Sequence, residues 1–595
     1  MCGIVGIVTQ GIIDRSQLVE AMDSLKHRGP DGSGIWIDEN QQVGLAHRRL
    51  SIIDLSERGI QPMSNEDKSI WITYNGEIYN FIEIKKELIA RGHIFTSNTD
   101  TEVIIHAYEE WGIACLEKFI GMFAFGLWDK KEKKLILARD RLGIKPLYYY
   151  KDNEKLIFAS EIKAIKCFRD VDLKIDKTAI YDFMTYLYIP TPKSIYAKVK
   201  KLPAGHYLVM KDNRTEVHMY WDLNVGNYNI TKETEAIEKI SELIKSAVKY
   251  RLVSDVPVGI LLSGGLDSSA ITAFTSKVAT NSPKVFSVGF DVAEYDEIES
   301  ARVVAQRYNL NFYTEKVKLE DATTLFDTVA INFDEPFGDS SLLPTYVVSK
   351  IAAKNVKVVL CGDGGDEIFG GYQWYTNYLR FCRRLPIRFS FMKKFAIDFY
   401  PSNLRGRMRI ASTGMNKFEL YTKLHGGLIK EEKKNIMNED FFSEFREYDD
   451  YWLFRKYWKK ELDIWTALQY LDIKTYLCDD ILVKVDRMSM LNSLESRVPL
   501  LDHRLVQLLF EIDPKVRNKC NEKKYIFKKV ISPYLPEEIL RRKKKGFSSP
   551  INQWMEAGWL TNNSIPSFLN QNKFSKTFSE NRTKFIAHIL SLFIN

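Results

Sequence analysis

The 595-residue sequence is poor in cysteine, and none of its seven cysteines stands in a CxxC pair. They are scattered over positions 2, 115, 167, 361, 382, 478 and 520. This pattern argues against a disulfide framework or a cysteine zinc site, and it favours a reducing compartment. The nine histidines form no HxxxH pair. No apolar run approaches the ~18 residues of a membrane span, and no basic leader or cleavage site is present. We therefore expect a cytoplasmic protein without a membrane partner.

The amount and distribution of charge argue against a nucleic-acid partner. The net charge of +8 is small for this length, and the basic residues are not arranged in a stripe with aromatics. Nucleic-acid binding is therefore not expected. The hydrophobic fraction of 45% and the charged fraction of 27% are ordinary globular usage. A chain of this length should divide into two or more domains.

The strand and helix patterns change once along the chain. Short strand patterns such as IVGIV, SIWITYNGEIYN and KLILARD fill the first part and predict a strand-rich sandwich with helices on it. Strand–turn–helix units built on VGILL, KVFSVGF and VKVVL follow, and they predict a parallel sheet with right-handed crossovers. From about 374 the pattern is mostly helical. We predict a first domain at 2–210, a polar linker at 211–235, a second domain at 236–550 and a variable tail at 551–595.

The chain begins MCGIVGI, which places a cysteine directly after the initiator methionine. Removal of Met1 would give Cys2 a free α-amino group with an ordinary pKa of about 7.7–8.0. That amine can accept the thiol proton, so Cys2 could act as a nucleophile without a catalytic histidine. Taken alone, the same residue could equally be a buried structural cysteine.

Further motifs follow MCGIVGI in order, namely HRGPDGSG (27–34), AHRRLSIID (46–54), YNGEIYN (74–80), NTDTE (98–102), DRLGIKPLYYY (140–150) and ASEIKAI (159–165). Together they resemble the glutaminase domain of the class II, or N-terminal nucleophile, glutamine amidotransferases over about 1–210. The resemblance implies a four-layer αββα sandwich. It also implies that the cysteine attacks the amide of glutamine, giving a thioester and ammonia.

Carried over by motif, the resemblance assigns roles to five more residues. Arg49 of RRLSIID should hold the α-carboxylate of glutamine as a bidentate fork. Asp100 and Glu77 should receive its α-amino group. The side-chain amide of Asn75 and the N–H of Gly76 should form the oxyanion hole, where each donor is worth about 3–4 kcal/mol. An Asn-Gly pair alone is more often a hairpin turn.

A second motif, VGILLSGGLDSSA (258–270), is a strand that enters a Gly-Gly turn and opens a helix. Gly264 and Gly265 allow close approach of a phosphate to the backbone, and the helix N-terminus favours an anion. Ser263 and Ser268 can donate hydroxyls, and Asp267 can hold Mg²⁺. The Walker pattern is absent. The motif instead resembles the pyrophosphate loop of ATP pyrophosphatases, which implies a Rossmann-like sheet and cleavage between the α and β phosphates.

The stretch LCGDGGDEIFGGY (360–372) matches the SG(D/E)GxDEIFGGY motif of asparagine synthetases. By that resemblance Asp366 joins Asp267 on Mg²⁺, and Asp363 serves the acyl-adenylate. Cys361 replaces the usual serine, so its contact is in doubt because a thiol is a weaker donor. The resemblance also implies four ATP contacts, at Leu261, Val288, Cys361 and Gly362.

Two later segments carry open alternatives. RRKKKGFSSP (541–550) resembles a segment whose lysine stabilises charge on the nucleotide, and the alignment points to Lys544 within 543–545. A solvated basic run is the alternative. DDILVKVDRMSMLNSLESRVPLLD (479–502) matches a helical signature whose acids and Arg487 could serve chemistry or form a structural ion-pair network.

Over about 1–550 the chain resembles the glutamine-hydrolysing asparagine synthetases. The implied reaction converts aspartate, glutamine, ATP and water to asparagine, glutamate, AMP and pyrophosphate, with ammonia moving through a dry passage. FDEPFGDSSLLPTYVVS (333–349) matches a DEPFxDSS variant found in relatives that amidate sugar uronic acids, so another carboxylate acceptor stays open. A nucleic-acid-modifying enzyme and a non-catalytic binding protein are the rival classes. Family members are often dimers, and the sequence does not determine the oligomeric state.

Overall fold

The structure is a computed structural model. It describes residues 2–290, 296–317, 319–384, 390–399, 406–519, 522–542, 549–556, 559, 565–577 and 579–594. Within these ranges no helix combines the length and the apolar character needed to cross a membrane.

The N-terminal part of the described chain contains two antiparallel sheets. Its strands are β1 (Gly3–Thr9), β2 (Gly32–Ile37), β3 (Val43–Arg49), β4 (Met63–Ser64), β5 (Ile70–Ile78), β6 (Gly121–Asp129), β7 (Lys134–Arg139), β8 (Tyr148–Lys151), β9 (Lys155–Ala159), β10 (Val199–Lys201), β11 (His206–Lys211) and β12 (Arg214–Met219). The first sheet has the order β10-β8-β9-β1-β3-β2, and the second has the order β12-β11-β7-β6-β5-β4. Its helices are α1 (Arg15–Asp23), α2 (Phe81–Ala90), α3 (Asp100–Trp111), α4 (Cys115–Lys118), α5 (Ile162–Ile165) and α6 (Lys177–Tyr186).

The two sheets pack face to face through alternating apolar side chains. Ile4 of the first sheet and Leu137 of the second belong to one buried cluster between them. Helices α1 and α5 cover the outer face of the first sheet, and α2 and α3 cover that of the second. The layers therefore run helix, sheet, sheet, helix, because apolar side chains fill the space between the sheets and under the helices.

The second sheet extends into the segment predicted as a linker at 211–235. Strand β12 pairs with β11 over a tight turn in which Asp212 and Asn213 have positive φ angles of 49° and 59°. Asp and Asn tolerate this conformation in hairpin turns. The segment has a polar sequence because β12 is an edge strand whose side chains are mostly exposed.

The second part of the chain is built on a parallel sheet. Its strands are β13 (Val258–Leu261), β14 (Val285–Phe290), β15 (Phe312–Val317), β16 (Val358–Leu360) and β17 (Glu495–Arg497), in the order β15-β14-β13-β16-β17. The chain moves outward from β13 to β15 and then returns to the other side of β13 with β16. Loops after β13 and β16 therefore leave the sheet in different directions, and such a switch point opens a crevice at the carboxyl ends.

Helices surround this sheet and form most of the remaining described chain. They are α7 (Glu233–Arg251), α8 (Leu266–Val278), α9 (Ile298–Arg307), α10 (Leu319–Ala330), α11 (Leu342–Ala353), α12 (Gly365–Phe369), α13 (Gln373–Arg384), α14 (Ser390–Asp398), α15 (Arg407–Ser412), α16 (Lys417–His425), α17 (Lys430–Ile436), α18 (Glu439–Ser443), α19 (Trp452–Tyr457), α20 (Ile464–Lys474), α21 (Leu482–Met490), α22 (His503–Glu511), α23 (Pro514–Arg517), α24 (Tyr525–Ile531), α25 (Glu537–Arg541), α26 (Ile551–Glu556) and α27 (Glu580–Ser591).

The predicted tail at 551–595 contains helix α27, which is part of the largest core cluster. Phe585, Ile586, Ile589 and Leu590 of this helix are fully buried or nearly so. These positions have the spacing of one helix face. The end of the chain therefore packs into the second domain as a core helix.

Candidate active sites

Cys2 lies at the entrance to β1, where the ends of the two antiparallel sheets approach each other. Its backbone N–H donates to Asn75 Oδ1 of β5 at 2.9 Å. The other side-chain atom, Asn75 Nδ2, is buried and has no hydrogen-bond partner among the described residues. An unsatisfied buried donor costs about 1–3 kcal/mol, so such groups are rare and often functional. Here the free N–H group belongs to the amide that accepts from the backbone nitrogen of Cys2.

The pocket at Cys2 contains most of the residues predicted for glutamine chemistry. Cys2, Arg49, Gly76, Glu77 and Asp100 line a small cavity of about 30 Å³. A Cβ atom at Gly76 would lie 2.2 Å from Met122 O, so only glycine fits there. The further lining residues include four with polar side chains that the sequence did not single out, which are Gln61, Tyr74, Thr99 and Thr101.

The pocket offers groups of both charges. The Arg49 guanidinium donates to the backbone carbonyls of Ile53 and Ser56, at 3.3 and 2.8 Å, in the loop that closes the pocket. Asp100 begins α3 and accepts from the Tyr74 hydroxyl at 2.8 Å. Burial raises the pKa of Asp100. Paired acids beside a guanidinium suit an amino acid, whose ammonium and carboxylate groups need opposite partners.

The electrostatics of the thiol are those of a buried group. Burial raises the pKa of the Cys2 thiol, and the N–H of Leu50 and the charge of Arg49 oppose this rise. Cys2 as a whole is only 8% exposed. A nearby base is therefore needed to form the thiolate.

A second cavity of about 930 Å³ opens at the carboxyl ends of β13 and β16. The structure brings together here every described residue predicted for ATP or Mg²⁺, together with Asp363. They are Leu261, Ser263, Gly264, Gly265, Asp267, Ser268, Val288, Cys361, Gly362, Asp363 and Asp366. Lys544 lies outside the described residues, so its role stays a prediction.

The loop after β13 has the shape that a phosphate requires. Gly264 has φ +71°, and a Cβ there would lie 2.6 Å from Ala301 N. Ser263 Oγ and Ser268 Oγ are 3.1 Å apart across the loop. Helix α8 then begins and directs its free N–H groups toward the cavity mouth. A Cβ at Gly362 would lie 2.6 Å from Ser268 N, so the two glycine loops touch.

The Cys361 thiol is buried between the next strand and Asp363. Its N–H donates to Arg497 O at 3.0 Å, and its Sγ lies 3.5 Å from the same oxygen. Burial raises the pKa of this thiol well above its ordinary value. The thiol therefore lies beside Asp363 as well as the next strand, and its contact with ATP stays a prediction.

Lys524 joins the two acids predicted to bind Mg²⁺. Its Nζ contacts Asp267 Oδ2 and lies 2.8 Å from Asp366 Oδ1. Both carboxylates therefore converge on one cation-sized point, and hard divalent cations prefer such oxygen donors. The acids fit a magnesium site on this observation. Lys524 stands in NEKKYIFKK, where no sequence motif distinguished it from its neighbouring lysines.

Two predicted segments meet on the far wall of this cavity. Lys484 of α21 lies 2.7 Å from Asp339 Oδ2 and 2.7 Å from Ser341 Oγ. Burial raises the pKa of Asp339, but the Lys484 ammonium and the Ser341 donors outweigh it and bring the value to about 2. Asp339 and Ser341 belong to the stretch 333–349 that matches the DEPFxDSS variant.

The helical signature at 479–502 joins the two domains through buried ion pairs. Arg28 Nη1 lies 2.8 Å from both Glu161 Oε1 and Asp486 Oδ2. Arg487 Nη1 lies 2.7 Å from Glu161 Oε2 and 3.4 Å from Asp334 Oδ2. Of the two open roles for this signature, the structure shows the ion-pair network.

Comparison with known families fits this arrangement. Residues 1–221 match the glutamine amidotransferase domain family, and residues 239–577 match the asparagine synthase family. Ammonia released at the first site has a use only beside a site that consumes it. The chain is thus a glutamine amidotransferase joined to an ATP-dependent ligase. It belongs to the family of glutamine-hydrolysing asparagine synthetases.

Three relatives illustrate the similarity. Asparagine synthetase [glutamine-hydrolyzing] 1 of Bacillus subtilis is 35% identical over 578 residues, covering 93% of this chain and 88% of the relative. Putative asparagine synthetase [glutamine-hydrolyzing] 2 of Methanocaldococcus jannaschii is 37% identical, covering 82% and 98%. Amidase chry2 of Gibberella zeae is 30% identical, covering 93% and 90%.

Proposed function

We propose that the protein makes asparagine from aspartate, glutamine, ATP and water, and releases glutamate, AMP and pyrophosphate. The observation that carries this proposal is the presence of two sites of complementary chemistry in one chain. One is a thiol pocket with an unpartnered amide donor, and the other is a large cavity with two glycine loops and converging acids. We assign the first domain, at 2–210, to the N-terminal-nucleophile fold and the second, at 236–550, to the Rossmann-like pyrophosphatase fold.

The first half-reaction takes place at Cys2. After removal of Met1, the α-amino group accepts the thiol proton and the thiolate attacks the amide carbon of glutamine. The N–H groups of Asn75 and Gly76 donate to the developing oxyanion. Asn75 Oδ1 already accepts from the Cys2 nitrogen at 2.9 Å, so it can hold the amine in place. Ammonia leaves, and water then hydrolyses the thioester.

Arg49, Glu77 and Asp100 orient the glutamine in this half-reaction. The guanidinium takes the α-carboxylate, and the two acids take the α-ammonium. All three groups line the cavity that contains Cys2.

The second half-reaction activates the acceptor. A carboxylate oxygen attacks the α-phosphorus of ATP, the bond to the bridging oxygen breaks, and pyrophosphate leaves. Asp267 and Asp366 would hold Mg²⁺, which offsets the negative charge of the phosphates when bound. Lys524 supplies a further positive charge at the same point. Lys544 is proposed to act on the nucleotide, and Asp363 on the acyl-adenylate.

Ammonia then attacks the acyl carbon and AMP leaves. We infer a dry passage between the sites, because water would convert most of the ammonia to unreactive ammonium. Direct side-chain contacts link the two sites, which supports their coupling. Arg28 donates to Cys2 O at 3.1 Å and pairs with Asp486 on α21. The same helix carries Lys484 to the second cavity.

The size of the second cavity favours an alternative to aspartate as the acceptor. The cavity of about 930 Å³ lies near the upper end of the roughly 300–1,000 Å³ range of small-molecule sites. Its wall includes Asp339 and Ser341 of the DEPFxDSS variant. A bulkier carboxylate, such as a sugar uronic acid, is therefore the second candidate.

The test supplies the purified enzyme with ATP, Mg²⁺ and glutamine, together with either aspartate or a uronic-acid nucleotide sugar. We expect AMP formation and an amide product, identified by mass spectrometry, with aspartate. AMP formation only with the nucleotide sugar would move the assignment to the second candidate. Formation of ADP instead of AMP with either acceptor would contradict both.

A further inference from the structure

Three potential metal ligands meet on the glutaminase domain, away from both cavities. His93 follows α2, and His106 and Glu109 lie on one face of α3. His93 Nδ1 is 3.3 Å from His106 Nδ1, and Glu109 Oε2 is 2.7 Å from His106 Nδ1 and 3.7 Å from His93 Nδ1. No sequence motif marks this cluster, because its histidines are 13 positions apart and only the fold brings them together.

These distances match the face of a tetrahedral zinc site. Zinc binds histidine nitrogen and carboxylate oxygen at about 2.0–2.2 Å, so two ligands at the tetrahedral angle lie about 3.3 Å apart. The three distances between the ligand atoms, 2.7, 3.3 and 3.7 Å, lie at or on either side of this value. Without a metal, His106 Nδ1 faces both the Glu109 oxygen and the His93 nitrogen, and the tautomers of the two rings decide which hydrogen bonds form. A cation at the centre attracts all three lone pairs.

The groups behind the ligands are those that metal sites use to orient their histidines. His93 Nε2 lies 3.3 Å from Glu110 Oε2. His106 Nε2 lies 3.9 Å from Glu102 Oε1, and Asn65 Nδ2 donates to Glu109 Oε1 at 2.8 Å. Such outer partners fix the ring orientation and raise the basicity of the ligand.

The ligands are accessible from one side. The His106 side chain is 2% exposed, while those of His93 and Glu109 are 17% and 24% exposed. A cation can therefore enter from solvent, and the fourth position faces water. Two imidazoles with one carboxylate favour Zn²⁺ over Mg²⁺ or Ca²⁺, which prefer all-oxygen sites.

We propose that His93, His106 and Glu109 bind a zinc ion that ties the turn after α2 to helix α3. Asp100, the first residue of α3, lines the glutamine pocket. Glu102 of the same helix accepts from the backbone N–H groups of Thr96 and Ser97, at 2.8 and 2.7 Å. The ion would add a second connection between the loop before α3 and the helix itself. It would stabilise the wall of the glutamine pocket and take no part in the chemistry.

The test measures Zn²⁺ binding by the full-length enzyme after chelation and dialysis, using calorimetry in excess Mg²⁺. The protein carries Cys2→Ala, so that the nucleophilic thiol cannot bind the metal. We expect one equivalent of Zn²⁺ and a rise in Tm on binding. In His93→Ala and Glu109→Gln the affinity should fall at least about tenfold, since even loss of an outer partner costs 10–100-fold.

His218→Ala is the matched control, because His218 also lies 3.2 Å from a carboxylate, Glu216, but is 44% exposed on an edge strand. Its affinity for Zn²⁺ should equal that of the parent. Addition of Co²⁺ to the parent should give visible bands typical of a four-coordinate site, independent of any folding defect in a variant. Less than one equivalent of Zn²⁺ in the parent, or equal affinity in His93→Ala and His218→Ala, overturns the proposal.

Discussion

Arg28 of the glutaminase domain and Asp486 of the synthetase domain form a bidentate pair, with nitrogen–oxygen distances of 2.8 and 3.2 Å. Both side chains are at most 3% exposed. The remaining guanidinium nitrogen, Nε, donates to the carbonyl oxygen of Cys2 at 3.1 Å. Asp486 of the synthetase domain therefore holds the guanidinium that contacts the backbone of the nucleophile.

This pair predicts that Asp486→Asn affects both stability and coupling. The change leaves the Arg28 charge buried with only Glu161 to balance it, and breaking a buried pair costs about 3–5 kcal/mol. We expect a lower Tm and a larger loss of glutamine-dependent synthesis than of ammonia-dependent synthesis. Differential scanning fluorimetry and the two synthesis rates measure these effects.

Asp449→Asn is the control for this prediction. It removes an equally bidentate pair with Arg455, at 2.7 and 2.8 Å, whose side chains are 41% and 56% exposed. Exposed pairs are worth about 0–1 kcal/mol. Equal effects of the two substitutions on Tm and on the ratio of rates would show that the Arg28–Asp486 pair has no special role.

Cys2→Ala should separate the two nitrogen sources. It removes the nucleophile but leaves the second cavity intact, so glutamine-dependent synthesis should fall by several orders of magnitude while ammonia-dependent synthesis persists. Amide product formation with glutamine or with an ammonium salt is the measurement. Equal loss with both sources would contradict the assignment of two separate sites.

Asp267→Asn should stop ATP cleavage with either nitrogen source. The amide keeps the size of the side chain but removes a charge that faces Lys524 and the expected cation. Pyrophosphate release measures the loss, which we expect to exceed a hundredfold. Glutamine hydrolysis at Cys2 is the internal control, since it should continue. Wild-type ATP cleavage in this variant would exclude Asp267 from the nucleotide site.

The sequence predicted the chemistry of the loops better than the contacts between distant elements. Gly264 and Gly362 are identifiable because a phosphate loop needs glycine where side chains would collide, as both positions show. Lys524 and the His93–His106 pair carry no such local signature, because their partners are brought to them only by the fold. The predicted tail contained the apolar spacing of α27, but its polar flanks obscured it.

Acidification should destabilise the protein through His47. This side chain is fully buried on β3, and its Nε2–H donates to Tyr74 O at 3.2 Å. Burial lowers the pKa of His47 to about 3, whereas an unfolded histidine titrates near 6.5. Below about pH 6.5, His47 is therefore protonated in the unfolded state but stays neutral in the folded state. The contribution to stability falls by about 1 kcal/mol between pH 7.5 and 5.5.

The pH dependence of the urea midpoint between 5.5 and 7.5 measures this effect in the wild type and in His47→Gln. The amide can still donate to Tyr74 O but does not titrate, so the slope should become shallower. Burial also lowers the pKa values of His425 and His503 to about 3, so part of the slope should remain. An unchanged slope in His47→Gln would mean that His47 takes up its proton in the folded protein as readily as in the unfolded chain.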